Sequence, residues 1–172
     1  TLSNTDIGND NTAIGNAAMY YNQEGERNTA VGRAALQNSV NDHNVAVGYK
    51  AGFGITTGEQ NVAIGANSLL SSGPAWGNVA VGNLAMWQAF GNYNTAIGYN
   101  TLYSTSSGHH NVGVGGQALY FNTGGEYNIG LGYNALAYNG DGDYHIAIGY
   151  ESGTSISEPN LYNTIGIGNN GS

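Results

Sequence analysis

Ten times along the chain, three residues alternate large, tiny, large in front of a glycine. The closing glycines are Gly15, Gly32, Gly48, Gly65, Gly82, Gly98, Gly115, Gly132, Gly149 and Gly168, at spacings of 17, 16, 17, 17, 16, 17, 17, 17 and 19. The residue before each glycine is a branched aliphatic, from Ile14 and Val31 to Ile148 and Ile167. Two positions earlier stands a β-branched residue: Thr12, Thr29, Val45, Val62, Val79, Thr95, Val112, Ile129, Ile146 or Ile165. Between them lies only Ala or Gly. Alternation with β-branched residues predicts a short strand. A short fixed period predicts a solenoid in which each turn of chain stacks on the last. The large side is expected in the core, and the Ala/Gly side against something that approaches very closely.

A second apolar patch follows three and four residues after the glycine, as in Ala35-Leu36, Ala85-Met86 and Ala135-Leu136. Four to six residues are too few to nucleate a helix, so a second short strand is expected here. The fold class is therefore all-β: a parallel β-roll solenoid of about ten 16–17-residue coils with two short strands each. Residues 1–172 form a single repeat domain, its coils centred on Gly15 to Gly168. At about 4.8 Å per coil the rod is about 50 Å long. Each coil supplies few large apolar side chains, and the Ala/Gly stripe lacks a partner. A coaxial homotrimer that buries the stripe between chains answers both points, with a dimer as the second choice.

Asparagine opens eight consecutive copies, Asn11 to Asn128, and His145 and Thr164 replace it in the last two. Stacked amides at one corner can hydrogen-bond along the solenoid, and Asn tolerates left-handed backbone. The closing glycine fits a turn that needs positive φ, or a tight approach. Phosphate-cradling loops occur once, between a strand and a helix, and ten copies without a helix argue against them.

The pattern N-[TV]-A-[IV]-G-x-x-A-[LM] resembles the head repeat of trimeric autotransporter adhesins, from about Asn4 to Gly168. The longer period, with tyrosines as in Ala96–Gly108, looks more like versions found in phage-type tail fibres and bacterial surface fibres. The resemblance implies left-handed parallel β-rolls assembled as trimers. It also implies an extracellular, cell-surface or virion fibre that serves as an attachment element or a spacer. The abrupt start and the ending NNGS suggest a fragment of a longer fibre.

Composition narrows the partners. With a net charge of −8 and only Arg27, Arg33 and Lys50 as basic residues, the chain lacks the footprint of a nucleic-acid binder. No apolar run approaches the roughly 20 residues of a membrane span, so direct membrane insertion is not expected. There is no cysteine, hence no disulfide or thiolate chemistry.

Catalysis finds little footing. The 11 carboxylates are scattered through loops, and no spacing selects an acid/base pair. No Gly-x-Ser-x-Gly is present. The expectation is a non-enzyme without cofactor. Two weak metal candidates stand out: His109-His110, and the stretch NGDGD with Asp141 and Asp143. The histidines could gather on a trimer axis or be solvated, and the aspartates lack the rest of a calcium loop, so a plain turn is their other reading. Aromatics are the better signal. Tyr49, Tyr99, Tyr133 and Tyr150 directly follow the glycine, Trp76 lies in the loop SSGPAWG, and Trp87 follows Ala85-Met86. Beside Asn, Ser and Gly these suit recognition of a cell-surface glycan or outer-membrane ligand. The competing reading is an aromatic ladder that glues coils together.

Overall fold

The computed structural model describes residues 8–153 and 163–168. The chain end near Asn4 lies outside the described residues. Ten strands share one parallel sheet: β1 Thr12–Ile14, β2 Thr29–Val31, β3 Val45–Val47, β4 Val62–Ile64, β5 Val79–Val81, β7 Thr95–Ile97, β9 Val112–Val114, β10 Ile129–Leu131, β11 Ile146–Ile148 and β12 Ile165–Ile167. Each pairs with the next coil in strict register, Thr29 on Val45 and Ala30 on Ala46 for example. The result is an all-β parallel solenoid of nine complete turns between ten strands, without helix among the described residues. At about 4.8 Å per step the sheet is about 43 Å long.

The strand faces are the reverse of the expectation. The tiny middle residues point inward: Ala30, Ala46, Ala63, Ala80, Ala96 and Ala147 are 0% exposed. The large flanking residues point outward, Val47, Ile64, Ile97 and Ile148 remaining 38–42% exposed. The cause is the thinness of the roll. Met19, Leu36, Leu69, Met86, Leu102, Leu119 and Leu136 fill the interior from the opposite side. A Cβ added to Gly113 would lie 2.7 Å from Thr101 Cγ2 and 3.6 Å from Leu102 Cγ, so opposite Thr101 even an alanine is crowded and nothing larger fits. The small-residue stripe is therefore covered by its own chain, and a chain–chain contact through it is ruled out.

The inward leucines and methionines do not sit on strands. They end tandem turns in which the second and fourth residues after the glycine are left-handed, as at Ala34 (φ 57) and Leu36 (φ 46). Left-handed backbone costs a non-glycine residue roughly 1–2 kcal/mol. Here it is offset by aiming a large side chain inward while freeing the N–H for the next coil, Leu36 N–H donating to Ala51 O at 3.0 Å. The expected second strand forms only in part and lies further on. β6 Gln88–Ala89 pairs with β8 Ser104–Thr105, and isolated bridges join Ile55 to Gly73 and Ser104 to Phe121.

The asparagine column is a buried spine. From Asn28 onward each backbone N–H donates to the side-chain oxygen one coil back, as Asn78 N–H does to Asn61 Oδ1 at 2.9 Å. Each Nδ2 donates to a main-chain carbonyl one coil forward, as Asn61 Nδ2 does to Ala75 O at 2.7 Å. From Gly15 to Gly132 the closing glycines satisfy both conditions expected of them. Gly65 has φ 127, and a Cβ there would stand 2.5 Å from the Gly82 carbonyl oxygen. A second glycine column, three residues before the asparagine, escaped the sequence reading; its backbone also passes too close to the next coil for a Cβ, as at Gly108 and Gly125.

Candidate functional site

In-register stacking turns each position of the repeat into a column, so one side-chain choice becomes a row running up the rod. Three rows of aromatics form in the second half of the chain. The position five after the glycine gives Trp87, Tyr103 and Tyr120, stacked at 5.0 and 5.0 Å with interplanar angles of 13° and 18°. The position before the asparagine gives Tyr93, His110, Tyr127 and Tyr144, stacked at 5.3, 4.8 and 5.1 Å. The position after the glycine gives Tyr133 on Tyr150, at 5.6 Å and 15°.

The predicted binding residues therefore part company. Tyr49 lies under two cations, Lys50 Nζ 5.5 Å and Arg33 Cζ 5.9 Å from its ring centre. Trp76 is exposed, its backbone N–H donates to Asn92 Oδ1 at 2.8 Å and its carbonyl accepts the Tyr93 N–H at 2.8 Å, which sets it one coil before the Tyr93 row and not in the Trp87 row. Tyr133 donates its hydroxyl to Gln117 Oε1 at 3.1 Å. The Tyr150 phenol is pushed up by its hydrogen bond to Glu151 and by that residue's charge. Trp87 and Tyr99 belong to one neighbourhood, together with Tyr103, Tyr120, Phe121 and Tyr138. Phe121 meets Tyr120 edge-on at 4.5 Å and stacks on Tyr138 at 5.8 Å. The signal that finds this cluster is columnar: Trp87, Tyr103 and Tyr120 share one distance from their glycines, five residues.

The metal candidates are tied into other work. His109 Nδ1 accepts the Asn92 backbone N–H at 2.9 Å, while the His110 ring is sandwiched between Tyr93 and Tyr127. The two imidazoles are 6.5 Å apart and tilted by 49°. Asp141 Oδ1 accepts the Thr123 hydroxyl at 2.8 Å, and Asp143 Oδ1 accepts the Glu126 N–H at 2.7 Å, so both aspartates brace the preceding coil. Among the described residues no three His, Asp or Glu side chains converge as a metal site would require.

The remaining feature is the outward side of the large sheet. Two columns of Thr, Val, Ile and Leu run its full length, with no charged side chain in either. Three residues wide and ten strands long, this stripe covers about 10 by 43 Å, or roughly 400 Å², which matches the largest apolar patch on a typical soluble monomer. No family model matches this chain, nor does any curated protein or solved structure.

Proposed function

We propose that the chain is a non-enzymatic segment of an extracellular fibre, on a cell surface or virion. It assembles as a coaxial homotrimer and carries attachment sites for cell-surface ligands such as glycans. The observation that carries this reading is the uncharged outward stripe from Thr12/Ile14 to Ile165/Ile167. Bringing such stripes of identical chains together removes apolar area from water at about 25 cal/mol per Å². Parallel, in-register sheets let every rung repeat the same contact, and closed symmetry prevents open-ended growth. Three narrow stripes facing a common axis enclose one core, whereas a pair would leave the stripe edges wet.

The coil-to-coil ladders favour a second role for the same rod, that of a stiff spacer. The Asn spine ties coil to coil, stacked rings reinforce it in the second half of the chain, and neither needs a ligand. Sedimentation or native mass measurement tests the assembly. The expected mass is three times 17.8 kDa, about 53 kDa. Ile64→Asp combined with Ile97→Asp should give a folded 17.8 kDa species. A wild-type chain that stays monomeric at high concentration overturns the reading.

A further inference from the structure

We propose that the patch centred on Tyr120 is a binding site for a neutral sugar ring, a pyranose unit of an uncharged glycan. The inference rests on the fibre reading above for its context but not for its geometry. The turn side of the solenoid changes character here. Under the patch β6 and β8 form the only two-stranded sheet on that side among the described residues, and the bridge to Phe121 extends it. The aromatics above it are thus fixed to a paired backbone.

Ring faces decide what such a patch can hold. Inside the ladder each ring covers its neighbour, so Tyr103 offers only its edge and hydroxyl. Tyr99 and Tyr138 differ, being 56% and 59% exposed. The next residue in the Tyr99 column is Gly116, which has no side chain to cover the ring. Tyr138 has Phe121 against one face. Both phenols, with that of Tyr103, lie close enough to Tyr120 to push its ionisation up, behind the larger effect of burial. Tyr120 is therefore a neutral phenol whose half-buried ring stacks on Tyr103 and meets Phe121 edge-on, with the exposed rings of Tyr99 and Tyr138 near it.

The chemistry matches one class of ligand. In the columns one, two, five and six after the glycine, no charged residue occurs in the coils from Gly82 to Gly132. A polyanion would find no cation, and a cation no carboxylate, within the patch. A pyranose presents apolar C–H faces for Tyr99 and Tyr138, and a hydroxyl rim for the phenols and for Gln88 and Ser104.

The test uses the whole 172-residue chain with soluble dextran, laminarin and galactomannan as neutral probes and dextran sulfate as the charged control. Titration calorimetry, and indole fluorescence read in Trp76→Ser so that it reports through Trp87, should show saturable binding of at least one neutral probe. Tyr99→Ser with Tyr138→Ser should weaken it at least tenfold, and Tyr120→Phe, which keeps the stack, about threefold. Trp76→Ser should leave it unchanged. Lack of binding by every neutral probe at millimolar concentration overturns the site, as does binding only to dextran sulfate or undiminished binding by the double variant. Sedimentation of the same samples separates the two readings. A trimer that binds no neutral glycan refutes the site alone, and a monomer that binds refutes the fibre alone.

Discussion

Asn44 Oδ1 accepts two hydrogen bonds from Asn61, one from its backbone N–H at 3.0 Å and one from its side-chain Nδ2 at 3.1 Å. One buried amide oxygen thus holds both halves of the residue a full coil ahead. Asn61 passes the connection on to Ala75 O and Asn78 N. Parallel coils cannot be joined by a hairpin, so this corner depends on side-chain bridging, and the bridge has no water to replace it.

Truncating one rung should therefore be costly. Asn61→Ala leaves the Ala75 carbonyl and the Asn78 N–H without their partner in a fully buried corner. At about 1–3 kcal/mol for each stranded group, the loss is roughly 2–6 kcal/mol. Asn61→Asp keeps an acceptor for Asn78 but aims an anion at two oxygens, so it should be less stable at pH 7 than at pH 4. Urea unfolding of both variants at the two pH values measures this.

The core tolerates one exchange that reveals its geometry. Gly52 stands where seven other coils place an inward leucine or methionine, and Ile55, buried at 0%, stands where those seven place Asn, Ser, Ala or Thr. A Cβ on Gly52 would lie 2.9 Å from Leu36 Cδ2 and 3.1 Å from Ile55 Cδ1. The isoleucine thus occupies the missing leucine's volume. Gly52→Leu alone overpacks the coil, and Ile55→Ser alone opens a cavity costing about 2–4 kcal/mol. Together they restore the common arrangement. A double-mutant cycle by urea unfolding should give a favourable coupling of at least about 2 kcal/mol, within the range for residues in contact.

The period, the strand, the asparagine spine and the closing glycine were legible because each is written as an invariant or nearly invariant column. The direction of the strand faces was not. Alternation over Val62, Ala63 and Ile64 defines two sides but not which is inside, and a shift of one residue exchanges them. Volume decides it, and volume depends on Leu69 and its equivalents, which reach the interior only through left-handed turns that leucine's own preferences do not announce. The aromatic cluster was half legible. Tyr99 and Trp87 were singled out, but the row through Tyr103 and Tyr120 shows only when residues are compared five places after each glycine.

His145 ends the asparagine spine and should make the last coil sensitive to pH. Its backbone N–H donates to Asn128 Oδ1 at 2.8 Å, and its Nδ1 accepts the Thr164 N–H at 3.3 Å. Accepting there assigns the imidazole proton to Nε2, an atom that is buried without a hydrogen-bond partner. Burial lowers the folded-state pKa from its ordinary 6.5, against a smaller opposing pull from the Asp143 carboxylate. The folded state thus favours the neutral ring. The stability this contributes is present above pH 6.5 and is lost as pH falls through 6.5 toward the folded value, where the unfolded chain binds the extra proton. Thermal unfolding should show the wild type losing stability between pH 7.5 and 5 relative to His145→Asn, which restores the amide of the other rungs and removes the slope.

A single strand can test which side of the sheet is the interior. Ala63 and Ile64 are neighbours on β4, the first 0% exposed and the second 39%. Placing leucine at Ala63 forces a large side chain into space already filled from the opposite side by Leu69, and overpacking of this kind costs about 1–3 kcal/mol or more. Ile64→Thr keeps the β-branched shape and changes only an outward surface, so the coil itself should lose no more than about 1 kcal/mol. If the large residues were the core, the order would invert: alanine to leucine would be accepted at a surface, and isoleucine to threonine would strand a hydroxyl inside. Urea unfolding at a concentration where the chain is monomeric separates these outcomes. The same Ile64→Thr protein, sedimented at high concentration, should dissociate more readily than the wild type if the proposed homotrimer forms, because that proposal places the residue which the fold can spare in the contact between chains.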